Sequence, residues 1–551
     1  MTSTGNDLDH LRSRTVWDTV LAAAERFPDR AALVGADDAE QIQRVSYRTL
    51  VERIRNLSAG FASIGVRRGD RVVLWMTNTP EWVVASYAIQ RLGAAVAPVN
   101  TFLKPPEVKY VIAQSGARHL VMLDSFRALR MPQMLGEICP EFAEATTPGF
   151  LSSADLPDLR NVVVFNRSSA AACPGAFDLA ALEALGATSQ EARDLADRMA
   201  GESRPSDLGM IKYTSGSTGF PKGAMLEQGG VVANATLHSR RIGLGPSDIF
   251  FSMMPFFHGG GSIWGLMTMM VNGGTLVFTE AFKPQLAAEL IAAERPTVMF
   301  GVLAEEVVDA ALERGIEFDS LRIAHAPNAD ARRIMPNATF SIVPFGLTET
   351  YGPAAVGCLS DPDDTRGVTS GRMLDGNVCR VVDPSTGEDV APGEIGEAWI
   401  RGNIMRGYWN KPEETARAID ADGWLHSEDL ISMDAGGYIT YRGRLKLMLK
   451  VGGENVSIEE VENVVASHDA VGGCGAVGVP DARKGEAVCV YVALRPRHAV
   501  EEEELRAWLA PRLARFKMPR EIVFVEELPR LANGKLDRIG LGARAQKEFT
   551  A

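Results

Sequence analysis

A chain of 551 residues is too long for a single hydrophobic core and predicts roughly two to four folding units. Its 46% hydrophobic and 23% charged residues are ordinary for a globular protein. The formal net charge of −13 argues against nucleic acid or an anionic membrane as the main partner, so an anionic ligand must be held by a local device.

The N-terminus carries charges where a signal peptide needs its apolar core, so export is not expected. From Thr15 to Phe27, Val16, Val20, Leu21 and Ala24 fall on one helical face, and Pro28-Asp29-Arg30 ends it. A strand over 31–34, a helix over 47–64, a strand over 71–75 and a helix over 80–92 follow. Strands separated by amphipathic helices predict parallel α/β layers. The Thr, Ser and Ala clusters between Pro140 and Glu202 read as peripheral loops with one short helix.

The stretch Tyr213 to Met225, YTSGSTGFPKGAM, holds three glycines, five hydroxyl side chains and one lysine, a composition that suits backbone N–H groups wrapped around a polyanion. It is not a Walker A loop, because Pro221 precedes Lys222 and Gly223-Ala224 follow it. Apolar flanks predict a tight connection between two strands. Composition alone leaves phosphate binding and a plain Ser/Gly surface loop both open.

A helix over 231–241 comes next. From Ile249 to Thr279 there is no Asp, Glu, Lys or Arg. Pro255, His258, Gly259 to Gly261 and Asn272-Gly273-Gly274 interrupt that run, so it reads as buried and ligand-lining rather than membrane-spanning. Alternation of helix and strand continues to about Gly346. Beyond it, the runs 377–382 and 397–401, joined by Asp383-Pro384-Ser385-Thr386-Gly387, predict hairpins. After a boundary between Arg442 and Lys450 the pattern is a small α+β set: helix 458–467, strands 475–479 and 487–495, helix 502–513 and strand 521–525. The six cysteines show neither a C-x-x-C pair nor metal-ligand spacing, which predicts reduced, structural thiols and a cytoplasmic setting.

Five separated segments, in order, resemble the adenylate-forming acyl-CoA synthetase superfamily, which also holds firefly luciferases and the adenylation domains of peptide synthetases. The resemblance implies an α/β fold: a large N-terminal domain of several subdomains with a β-rich portion (1–442), a hinge (443–449) and a small mobile α+β C-terminal domain (450–551). By that resemblance Thr214, Ser215, Gly216, Ser217, Thr218, Gly219 and Lys222 grip the ATP phosphates. In Phe345-Gly346-Leu347-Thr348-Glu349 the aromatic residue lies beside adenine, Thr348 contacts phosphate and Glu349 helps to hold Mg²⁺. Read alone, Thr348-Glu349-Thr350 could equally be a helix cap.

Asp429, at the end of Gly423-Trp424-Leu425-His426-Ser427-Glu428-Asp429, takes the place of the ribose-binding aspartate, with Glu428 where the family has glycine. Arg444 is expected near the ribose and Lys446 at the hinge, followed by Leu447 in place of the usual polar residue. Gly453 is expected to line the pantetheine path. Lys450 serves either the second half-reaction or a surface ion pair. Lys535, in Leu528-Pro529-Arg530-Leu531-Ala532-Asn533-Gly534-Lys535, stands where the family has its adenylation lysine, whose charge offsets that developing at phosphorus.

The reaction implied is a carboxylic acid activated by ATP and Mg²⁺ to an acyl-adenylate, with coenzyme A as the default acceptor. A carrier-protein thiol, diazotisation of an aryl amine and a non-catalytic nucleotide-binding regulator are the alternatives, and a homodimer is left open. The segments matching the acyl pocket contain His258, Gly259, Trp264, Gly301, His325, Ala326 and Tyr351. His325 in place of glycine, with the aromatic Phe256, Phe257, Trp264 and Tyr351, favours a small, medium-length or aromatic acid over a long fatty one.

Overall fold

The computed structural model describes residues 5–167, 173–214, 221–299, 305–324, 329–340, 344–384, 386–445, 448–530 and 536–549. The chain forms two compact units. The first takes Met1–Thr101, Ile112–Lys212 and Gly223–Gly443, and the second takes Arg444–Ala551 with Phe102–Val111 and Tyr213–Lys222.

Two seven-stranded sheets organise the first unit. One runs, in order, Thr339–Phe340, Ile323–Ala324, Val298–Met299, Ile249–Ser252, Thr275–Thr279, Ala31–Ala36 and Ile42–Ser46, parallel except at the last pair. The uncharged block thus supplies two adjacent strands, and Phe251, Val277 and Phe278 are buried in it. Continuous apolar runs are what a parallel strand covered on both faces requires.

The other sheet runs Lys222–Glu227, Leu208–Thr214, Ala95–Pro98, Arg71–Trp75, His119–Leu123, Asn161–Phe165 and Phe177–Asp178. Its pairs from Leu208–Thr214 onward are parallel. The connection between Leu208–Thr214 and Lys222–Glu227 is therefore the expected short one between neighbouring strands.

Helix starts follow their caps. Thr15 and Asp18 form a reciprocal capping box at Val16–Arg26, and Thr79 caps Pro80–Arg91 with proline in its first turn. The stretch after Pro140 departs from expectation. It supplies the strand Asn161–Phe165 and two helices, Leu179–Thr188 and Gln190–Glu202, that pack on Tyr47–Ser63. Glycines allow that approach: a Cβ on Gly186 would lie 1.8 Å from the Asn56 carbonyl oxygen, and one on Gly60 2.3 Å from that of Leu182.

The rest of the first unit is β-rich. Phe345–Leu347, Gly352–Val356 and Arg372–Met373 make a three-stranded antiparallel sheet, and Val378–Val382, Ile395–Arg401, Leu425–Met433 and Ile439–Arg444 a four-stranded one.

The second unit has a five-stranded sheet around the long hairpin Val471–Asp481 and Gly485–Leu494, with Glu521–Val525 parallel to its second strand. Helices Ile458–Ala466 and Glu502–Leu509 cover a core of Val461, Val488, Val490, Leu505 and Leu509. A further helix, Arg538–Phe549, buries Leu541 and Ala545 beside Tyr491. Arg538 clamps Glu462 through both Nη atoms, at 2.5 and 2.6 Å. No disulfide joins the six cysteines. No helix among the described residues is long and apolar enough to cross a membrane.

Candidate active site

Glycine is forced at the head of the Phe345 segment. A Cβ on Gly346 would lie 2.1 Å from the Gly352 carbonyl oxygen across the tight pair Phe345–Leu347 and Gly352–Val356. That pair leads into a single 3₁₀ turn, Thr348–Thr350, closed by Tyr351 at φ 62°. The Thr350 hydroxyl donates to the Gly352 carbonyl (2.7 Å) and accepts from the Leu347 N–H (2.9 Å), which fixes the turn.

Glu349 is thereby buried at 8% exposure, and two contacts hold it. Its carbonyl accepts the Met405 N–H (2.7 Å), and its Oε1 accepts the Tyr408 hydroxyl (2.8 Å). Its Oε2 makes no hydrogen bond among the described residues. A carboxylate fixed through one oxygen, with its other oxygen uncommitted, suits Mg²⁺, which takes one or two carboxylates and completes its shell with phosphate and water.

The strap that carries Tyr408 lies along the strand leaving the loop. Met225 and Gly407, Arg406 and Met225, and Trp409 and Gly223 are joined backbone to backbone at 2.8–3.0 Å. Sequence reading did not single out Tyr408. Its partner lies 59 residues away, and one chain offers no signal for that pairing.

Asp429 sits 4% exposed on Leu425–Met433, its N–H bound by the Ser427 hydroxyl at 3.1 Å. Glu428 resolves the departure at the family's glycine: it adopts φ 59°, the left-handed conformation that glycine takes without penalty. Its N–H donates to Glu397 Oε1 (2.9 Å), while Glu397 Oε2 accepts the Trp399 indole (2.8 Å).

In the pocket segments, His258 is exposed at the mouth of a π-helix, Gly260–Met267, and its Nδ1 accepts the Gly260 N–H at 3.0 Å. Gly259 is buried beside it. Trp264, on that π-helix, donates its indole N–H to His238 Nε2 at 2.8 Å. Burial pushes the His238 imidazole down to about 3, so it is the neutral acceptor this bond needs. Phe257 offers its carbonyl to Lys212 Nζ (2.9 Å), and burial lowers that ammonium to about 7.

Two aromatic expectations change. Phe256 is wholly buried between Trp82 and Phe278. Tyr351 is also wholly buried: its ring occupies the space a Cβ on Gly230 would need, its hydroxyl accepts the Glu227 N–H (3.1 Å), and burial raises its phenol to about 12. Both side chains are packed in the interior.

In the second unit the loop ends are tied: the Thr214 hydroxyl donates to the Lys222 carbonyl (3.4 Å), and the Tyr110 hydroxyl to that of Pro221 (3.0 Å). Lys450 is exposed on Met448–Val451. Gly453 turns that strand into Glu454–Ser457 at φ 87°, where an added Cβ meets nothing within 4 Å, so backbone conformation already requires glycine there. Ser215, Gly216, Ser217, Thr218, Gly219, Gly301, His325, Ala326, Lys446 and Lys535 lie outside the described residues, as does the side chain of Arg444.

Comparison with known proteins gives the same outline. The model of the AMP-binding enzyme family matches residues 20–409, and that of the AMP-binding enzyme C-terminal domain residues 460–535. The chain is 32% identical over 563 residues to the medium-chain acyl-CoA ligase ACSF2, mitochondrial, of Rattus norvegicus, covering 99% of this chain and 90% of that protein. Two solved structures share the fold. The amide bond synthetase McbA of Marinactinospora thermotolerans has a TM-score of 0.78 at 24% identity, covering 97% of this chain and 100% of its own. The o-succinylbenzoate CoA synthetase MenE of Bacillus subtilis, a double mutant, has a TM-score of 0.75 at 22% identity, covering 96% and 98%.

Proposed function

Since the chain belongs to the AMP-binding enzymes, we propose the following reading of its chemistry. It is an AMP-forming acid–thiol ligase that uses ATP, Mg²⁺ and coenzyme A. A carboxylic acid attacks the α-phosphorus of ATP, the bond to pyrophosphate breaks, and an acyl-adenylate forms. A thiol then attacks the acyl carbon, and AMP leaves with its electron pair. The geometric observation that carries this reading is the buried Glu349 carboxylate, fixed by Tyr408 through one oxygen only.

Bound Mg²⁺ would neutralise phosphate charge as pyrophosphate departs. The chain's own residues orient the reactants. Asp429, with two acceptor oxygens and no donor, suits the ribose hydroxyl pair. Phe345 supplies an apolar wall for adenine, and Lys535 the cation for charge developing at phosphorus. Thr348 and the residues 214–222 hold phosphate, and Arg444 the ribose. A C-terminal domain beginning near residue 450, turning about Lys446, would bring in Gly453 for the second step.

The acid we favour is of medium length. The name of the ACSF2 relative supports this. Trp264 supports it too, because its bond to His238 keeps a bulky ring in place on the π-helix. Trp264→Ala should raise kcat/KM for a palmitate-length acid relative to an octanoate-length one at least tenfold. An unchanged ratio would remove Trp264 from the pocket. Coenzyme A as acceptor is tested by mass spectrometry of the products with CoA supplied or withheld. An acyl-CoA is expected only with CoA, and acyl-adenylate hydrolysis alone would point to another nucleophile.

A further inference from the structure

A cavity of about 520 Å³ opens at the amino-terminal ends of three parallel strands of the first unit, whose first residues are Arg71, Ala95 and Leu208. Thr214, where the glycine-rich loop begins, is at the opposite end of Leu208–Thr214. At about 3.3 Å per residue the two ends are roughly 20 Å apart, so this cavity is not the nucleotide site.

Its charged lining is three guanidinium groups, Arg68, Arg71 and Arg406, and one carboxylate, Asp207. Arg68 grips Asp207 with Nε and Nη2, at 2.9 and 2.6 Å. Arg406 donates to Glu227 Oε1 (2.9 and 2.6 Å) and to the Ser206 carbonyl (2.6 Å), while Arg12 takes the other oxygen of Glu227 (2.6 Å).

Arg71 differs from both. It pairs with no carboxylate among the described residues, and its three nitrogens donate to the carbonyls of Ser115 (3.1 Å), Gly69 (3.1 Å) and Gly116 (2.6 Å). Its guanidinium also lies over the Trp409 ring, 5.1 Å from the centroid. Carbonyl dipoles fix the position of the fork without cancelling its charge.

Counting Arg12, Glu227 and Glu202, whose charge reaches Arg68, four cations face three carboxylates, a local surplus of one positive charge in a chain of net charge −13. Unused donors accompany that surplus. Among the described residues, Nη1 of Arg68 and of Arg406 makes no hydrogen bond, and neither does the buried indole nitrogen of Trp409.

We propose that this cavity is a binding site for a phosphoryl-bearing anion, with Arg71 as its fixed cation and Arg68 and Arg406 as its rim. A phosphoryl group presents several charged acceptor oxygens, which several guanidinium forks can share, whereas a single carboxylate would meet fewer of the free donors.

The test uses the full-length enzyme saturated with an acyl-sulfamoyl adenosine, so that the nucleotide and acyl positions are filled. Inorganic phosphate and adenosine 3′,5′-bisphosphate are then titrated separately by calorimetry at low ionic strength. One equivalent of at least one probe should bind, more weakly as NaCl is raised, and at least tenfold more weakly in Arg71→Met. Binding of phosphate itself identifies the free anion as the natural class, and binding of the bisphosphate alone a phosphorylated nucleoside.

Because Arg71 also braces backbone, Arg68→Gln, on the exposed rim, provides a second variant. It should lose about threefold or more in affinity while releasing pyrophosphate at the wild-type rate, which shows that it is folded. Failure of both probes to bind at millimolar concentration, or unchanged affinity in both variants, overturns the proposal. Neither result bears on acid activation, which is measured independently.

Discussion

At the scale of single residues, the contact between Tyr408 and Glu349 ties chemistry to structure most closely. Removing the hydroxyl leaves a buried carboxylate oxygen without its donor, a loss of about 1–3 kcal/mol, and frees the group we propose as the Mg²⁺ ligand. Tyr408→Phe should raise the Mg²⁺ concentration for half-maximal rate about tenfold and leave KM for the acid unchanged. Mn²⁺ affinity measured by electron paramagnetic resonance, with a non-hydrolysable ATP analogue present, should fall in parallel. A uniform loss of activity with unchanged Mn²⁺ affinity would make the contact merely structural. Glu428 gives a second case. At φ 59° a side chain costs roughly 1 kcal/mol or more, partly offset by the unfolded-state entropy that glycine adds. Glu428→Gly should therefore stabilise the fold by about 0.5 kcal/mol, whereas β-branched Glu428→Val should destabilise it by at least about 1 kcal/mol. Thermal melting of the two variants checks the order.

The strand Leu208–Thr214 carries the corresponding consequence at the scale of elements. It places Lys212 in the interior with the Phe257 carbonyl as acceptor, and burial lowers the lysine from its usual value to about 7. Between about pH 7 and 10.5 the unfolded chain binds a proton that the folded chain does not, so stability rises with pH across that window. Below it the lysine is charged in both states and the penalty is constant. Lys212→Met should raise the unfolding free energy most at or below pH 7, by on the order of 2 kcal/mol after the lost hydrogen bond is subtracted, with the melting temperature rising accordingly. The advantage should shrink towards pH 10, and a pH-independent difference would rule out this origin.

Elements with a clear pattern were legible in the sequence, such as the two-faced helix Val16–Arg26 with its Thr15 cap, or the continuously apolar strand Arg71–Trp75. The helices Leu179–Thr188 and Gln190–Glu202 were not. Their alanine-rich sequences offer little apolar bulk, and they are held by a close approach at Gly60 and Gly186 that only three dimensions reveal. Motifs singled out Asp429 and Glu349 but offered no signal for Tyr408, and neither the family resemblance nor aromatic bulk foretold that Phe256 and Tyr351 are wholly buried. Burial in a core and burial beside a ligand demand the same apolar residues.

At the scale of the whole molecule, the family matches over 20–409 and 460–535 reach into both units. The first unit holds Glu349 on a hydrogen-bonded 3₁₀ turn and Asp429 on the strand Leu425–Met433. The second has its own sheet and core, which is what the proposed turning of the C-terminal domain would require. The central claim is that this chain activates a carboxylic acid through its adenylate, and the most direct measurement is acid-dependent pyrophosphate release from MgATP across a panel of short, medium, long and aromatic acids. Release should occur without CoA, be greatest for an acid of medium length, and fall by at least about 100-fold in Lys535→Ala with ATP binding nearly unchanged. Absence of pyrophosphate release with every acid, from a folded enzyme that binds ATP, would contradict the account.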